Sequence, residues 1–173
     1  MAFDLKGESN MESVVGILYS TVKENFQRLK SVTEEMEQEE LDYHGTDGKF
    51  NSAGQLIRHL AYVDLNWVYR IKDEPLPGVL EEKYGPALNE NDQLPMVKGV
   101  SLQELLSDYE KVYEMFRSEC TYLTDNDLDK VVTFGNENEK QATIRWGIWH
   151  ISDHNRYHQA HINQLRKWYK GEH

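Results

Sequence analysis

Residues 51–68 read NSAGQLIRHLAYVDLNWV, and the reading of this stretch sets the architecture of the chain. Ser52 precedes Gln55 by three, the spacing at which each side chain satisfies a backbone donor at a helix start. Ala53, Leu56, Ile57, Leu60, Val63, Trp67 and Ile71 then recur every three or four residues. That period predicts an amphipathic helix with one buried face.

The same period appears on both sides of it. Upstream, Met11, Val14, Val15, Leu18, Val22, Phe26, Leu29, Val32 and Met36 predict a first helix. It ends in EEMEQEE, residues 34–40, which reads as a solvated face. Downstream, Ser101 and Glu104 open a third helix, continued by Leu102, Leu105, Leu106, Tyr109, Val112, Tyr113 and Phe116. A fourth starts near Thr143 and runs through Ile144, Ile148, Ile151, Ile162, Leu165 and Tyr169. All four prolines, Pro75, Pro77, Pro86 and Pro95, fall between helices two and three, which requires a long connection there. VVTFGNENEKQAT, 131–143, alternates around Gly135 and Asn136 and allows a short hairpin. The expectation is an all-α, single domain over residues 1–173: a four-helix bundle with a long connection between helices two and three. Whether helices two and three run parallel is left open by the length of that connection.

Composition narrows the function classes. Nineteen basic against thirty acidic residues give a net charge of −11, which repels a duplex phosphate surface. RKWYK, 166–170, reads as cations near a helix C-terminus rather than as a nucleic-acid patch. No apolar run approaches the roughly 18 residues of a membrane span, and MAFDLKGESN lacks the pattern of a secretory leader. A cytoplasmic protein without nucleic-acid or membrane partners is expected. The single cysteine, Cys120, reads as a packing residue.

Four of the seven histidines crowd into HISDHNRYHQAH, residues 150–161. Counting about 100° per residue from His150, His154 falls at about 40°, His158 at about 80° and His161 at about 20°. Ile144, Ile151, Ile162, Leu165 and Tyr169 spread over about 60° to 120°, which puts His158 in the middle of the buried stripe and His154 at its border. His154 and His158 are four apart, so two imidazoles can grip one ion from one helical face. A third ligand has to come from elsewhere. His44 sits in a loop and His173 ends the chain, whereas His59 flanks the apolar stripe of helix two. A polar border residue is the plainer reading of His59.

Two stretches, NSAGQLIRHLAYVDLNWV at 51–68 and WHISDHNRYHQAHINQL at 149–165, resemble the DinB/YfiT-like superfamily of metal-dependent enzymes. Its members pair a histidine in the second helix with H-x-x-x-H on the fourth, often within H-E-x-x-H-R-G-Q-I. The resemblance covers nearly the whole chain. It implies that His59, His154 and His158 are metal ligands, that the ion is nickel or zinc, and that the chain forms a homodimer. Relatives of this kind include glutathione-independent isomerases and S-transferases that use mycothiol or bacillithiol.

The departures bear on chemistry. Asn155 stands where many relatives have Glu, and Gln159-Ala160-His161 replaces Arg-Gly-Gln. Asn cannot serve as a general base, so the protease-like use of H-E-x-x-H is closed. His161 is then a candidate proton carrier, a partner of a ligand, or an edge residue, and His150 is a weaker candidate of the same kind. The expected function is a metal-dependent enzyme acting on a small molecule, an S-transferase using a low-molecular-weight thiol or a hydrolase. The thiol route suits a site without an evident carboxylate base, because a thiol ionises more readily. The competing class is a non-catalytic, stress-associated metal-binding bundle acting through dimerisation or ligand binding.

Overall fold

The computed structural model describes residues 2, 4–135 and 139–172. It is mostly helical. In chain order come α1 (Ser13–Thr33), a short α2 (Gln38–Leu41), α3 (Ala53–Lys72), a short α4 (Gly78–Tyr84) and α5 (Leu102–Tyr122). The strands β1 (Val131–Phe134) and β2 (Lys140–Thr143) follow, and α6 (Ile144–Glu172) closes the chain. The strands form the expected antiparallel hairpin, with Val131 opposite Thr143 and Phe134 opposite Lys140. Asn136, expected in its turn, lies outside the described residues.

Local chemistry starts the long helices where the sequence places them. Ser52 N donates to Gln55 Oε1 at 2.9 Å and Gln55 N donates to Ser52 Oγ at 3.2 Å, a complete capping box. Gln55 does a second job: its Nε2 donates to the carbonyls of Leu94 and Pro95, both at 3.1 Å. The end of the proline-bearing connection is thereby fastened to the start of α3. Ser101 Oγ accepts from Glu104 N at 3.1 Å, and Thr143 Oγ1 from Trp146 N at 3.2 Å.

That fastening decides direction. The connection carries the chain back along α3, with Tyr62 donating to Glu81 and Arg58 to the Lys83 carbonyl, both at 2.7 Å. α5 therefore begins beside the start of α3, where Gly54 faces Leu105, and the two helices run parallel. α6 runs against α3, since His59 meets His154 and His158 while Trp67 meets Gly147.

The acidic run is solvated as expected at Glu34, Glu35, Glu37 and Glu39, and departs from the expectation at its end. α1 stops at Thr33, short of Met36, and the chain turns at Glu35 with φ of 65°. Glu40 is buried rather than solvated, and accepts from Arg166 Nε at 2.8 Å. Arg166 also donates to the Val32 carbonyl, so one cation of RKWYK clasps α6 to the end of α1 and to α2. A buried ion pair loses hydration on forming, so this contact specifies which ends meet more than it adds stability.

Two apolar clusters fill the interior, one around Leu60, Tyr109 and Ile162, the other around Trp67, Phe116 and Ile148. Cys120 is buried in the second, its thiol pKa pushed up by burial, as a packing residue requires. Trp67 is 1% exposed and lies flat on Gly147, where a Cβ would come within 2.4 Å of its ring. Gly147→Ala is expected to cost about 1–3 kcal/mol despite alanine's better helix propensity, read as a lower urea midpoint at unchanged slope. No helix among the described residues is long and apolar enough to cross a membrane.

Candidate metal centre

α3 and α6 bring three imidazoles to one point. His154 Nε2 lies 3.3 Å from His59 Nε2 and 3.0 Å from His158 Nε2. Candidate ligand atoms of all three fall within 4.8 Å of one another. Ligand nitrogens at the usual zinc distance of about 2.0–2.1 Å stand about 3.3 Å apart in a tetrahedral shell, so the donor set fits such an ion. The Nδ1 atoms of His154 and His158 are buried without a hydrogen-bond partner among the described residues. These residues could hold a metal ion, and the structure brings His59 of α3 to the histidine pair of α6. His44 Nδ1 instead lies 2.8 Å from the Phe50 carbonyl, and His173 lies outside the described residues.

The buried face of α6 is wider than its apolar stripe. Ser152, Asn155 and Gln159 are buried along with Ile151 and Ile162. His158, expected within the stripe, is therefore at its margin, half-buried like His154 and His59. The three rings lie between the packed interior and the surface of the protein.

Burial lowers the pKa of His154 and His158 to about 3, with neighbouring imidazoles adding to the effect. Burial also lowers that of His59, where the Ala87 backbone acts in the opposite sense. The rings are therefore neutral near pH 7, the form that ligates metal. For metal-free protein the sign is fixed: the unfolded chain takes up protons first, near the ordinary 6.5. Stability from this source is complete above about pH 6.5 and is lost as pH falls towards about 3. The melting temperature of chelator-treated protein is expected to drop on going from pH 7 to pH 5, as scanning calorimetry would show.

Beneath the histidines lies a polar network that the apolar pattern concealed. Asp64 Oδ2 is 2.5 Å from the Tyr109 hydroxyl and accepts from Asn155 Nδ2 at 3.2 Å. The Tyr109 hydroxyl is also 3.0 Å from Asn155 Oδ1, and Asn155 Nδ2 reaches the Ile151 carbonyl at 3.1 Å. One phenol hydrogen cannot serve two acceptors. The Asp64 carboxyl, at the shorter distance, accepts that hydrogen from Tyr109, and Asn155 Oδ1 lies beside it. Burial raises the Asp64 pKa to about 7, against the lowering effect of its two partners. The sequence signal was available: Asp64 sits four residues after Leu60 and three before Trp67, a polar residue inside an apolar stripe.

The two flanking histidines separate. His150 stacks on Trp146 at 4.7 Å between centroids and belongs to an aromatic row with Trp67. His161 is exposed, with its ring edge-on to Tyr157 at 4.4 Å and 5.6 Å from the His158 ring.

A mostly helical fold in which three histidines on two antiparallel helices could share an ion defines a class of small helical proteins with a candidate metal centre. The chain belongs to the DinB superfamily, whose family model matches residues 21–162 and so includes His59, His154, His158 and His161. A similar protein, the uncharacterized protein YkkA of Bacillus subtilis (strain 168), is 44% identical over 168 residues. That alignment covers 96% of this chain and 94% of YkkA.

Proposed function

We propose that this protein is a metal-dependent enzyme in which His59, His154 and His158 hold a divalent ion, nickel or zinc, within a four-helix bundle formed by α1, α3, α5 and α6. The convergence of three imidazole Nε2 atoms from two helices carries this reading. A divalent ion on three neutral imidazoles keeps its positive charge and an open position, and so supplies Lewis acidity able to lower the pKa of a thiol or a water.

Between transfer and hydrolysis, the side chains favour transfer of a low-molecular-weight thiol to a small electrophile. Hydrolysis asks for a base to take the proton from water, and the nearby carboxyl of Asp64 is buried and engaged with Tyr109 and Asn155. A thiol needs less help to ionise. His161, exposed beside His158, is our candidate to carry the proton released, a duty that hydrolysis would ask of it as well. His161→Gln is expected to lower turnover by about a hundredfold while bound metal stays at the parent stoichiometry. Homodimer assembly belongs to the same reading, supported by the family resemblance, and light scattering reads it.

The test is a panel of thiol cofactors and electrophilic acceptors, with and without chelator, on protein purified away from metal resin. Turnover that disappears with chelator and returns with added metal supports the enzyme reading. Full metal occupancy with no chelator-sensitive turnover across the panel transfers the assignment to a non-catalytic binding role.

A further inference from the structure

Beside His158 lies a cleft of about 320 Å³, within the range of small-molecule sites. Phe50, Leu56, Tyr157, Leu165 and Trp168 supply its walls. His158, His161, Asn51 and Gln164 add polar groups, and among the described residues no lysine, arginine, aspartate or glutamate lines it. Two larger clefts, of about 560 and 580 Å³, are built otherwise: Arg70 with acidic neighbours, and none of the three converging histidines.

The wall contributed by Phe50 is held in place by its loop. Phe50 is 47% exposed. Its amide donates to the His44 carbonyl at 2.9 Å, and the His44 ring meets its carbonyl at 2.8 Å. Between them Gly45 has φ of 81°, and a Cβ at that position would lie 2.5 Å from the Phe50 ring. The ring in turn meets Trp168 at 4.9 Å between centroids. Loop closure, a left-handed glycine and an aromatic pair all serve one exposed ring at the mouth of the cleft.

We propose that this cleft receives an uncharged aromatic or aliphatic group of the substrate, whose polar, reacting end lies at His158 and His161. The proposal rests on the metal-enzyme reading for the nature of that reacting end. A charged group entering the cleft would give up hydration and find no countercharge. A flat apolar one finds ring faces and edges on several sides.

The probes are 2-naphthol, glucose and the 2-naphthyltrimethylammonium cation, titrated calorimetrically into metal-loaded protein, with bound metal measured on the same samples. The cation shares the ring system, cannot ligate a metal ion, and is favoured by the net charge of −11. 2-Naphthol is expected to bind at least about tenfold more tightly than either of the others. Phe50→Ser and Gly45→Ala are each expected to weaken it about fivefold or more at unchanged metal content. Preference for the cation, or full affinity in both variants, overturns the proposal. So does 2-naphthol binding that appears only when the protein is diluted from dimer to monomer, since a second copy is then the occupant. Metal held without 2-naphthol binding ends the cleft proposal and leaves the enzyme reading standing. 2-Naphthol bound by protein that takes up no metal keeps the cleft and ends the enzyme reading.

Discussion

His154→Ala is expected to weaken binding of nickel or zinc by well over about a hundredfold, beyond the cost of losing an outer partner of a ligand. Both short separations in the cluster run through His154: 3.3 Å to His59 and 3.0 Å to His158. Without it, the remaining two rings come from different helices and lack the nitrogen that joins them. Elemental analysis of protein from metal-supplemented cells and titration of chelator-treated protein both read the loss. Far-UV circular dichroism should be unchanged, because His154 is half-buried at the margin of α6's packed face. Unaltered metal stoichiometry in this variant would remove the assignment of the site.

The largest effect on stability is expected from Asn155→Glu, the substitution that restores the residue common among relatives. Here it places a second carboxyl beside Asp64 in a buried network and removes the amide that donates to Asp64 and to the Ile151 carbonyl. An uncompensated buried charge costs about 3–5 kcal/mol, read as a lower urea midpoint at pH 7. The paired carboxyls hold their proton to higher pH in the folded chain than in the unfolded one. The deficit therefore grows as pH rises and shrinks towards pH 5. Adding Asp64→Asn to Asn155→Glu is expected to recover part of the loss, since the two positions are coupled through contact. An Asn155→Glu protein as stable as its parent would show that the network does not constrain this position.

These two variants mark what separates pattern from arrangement. His59, His154 and His158 were legible as candidates because helical spacing puts two of them on one face and the third on a neighbouring helix. Asn155 was legible only as a departure. Its partners Asp64 and Tyr109 lie on α3 and α5, at sequence separations that periodicity does not span. Gln55 was visible as half of a capping box, while its hold on the Leu94 and Pro95 carbonyls was not. Glu40 looked solvated because EEMEQEE is acidic on both sides of Met36, and Arg166, which pairs with it, is far along the chain.

By itself the sequence determined the number and approximate placement of the long helices, allowed the hairpin before the last, and singled out the histidines able to meet. Those features rest on local causes: side-chain period, caps and proline. Tertiary structure alone decided that α3 and α5 run parallel, that the histidines sit at a margin where His158 lines a cleft, and that Asp64, Tyr109 and Asn155 share a buried hydrogen-bond network. Each of these depends on contacts between distant segments, where direction and burial arise from packing and not from the order of residues along one helix.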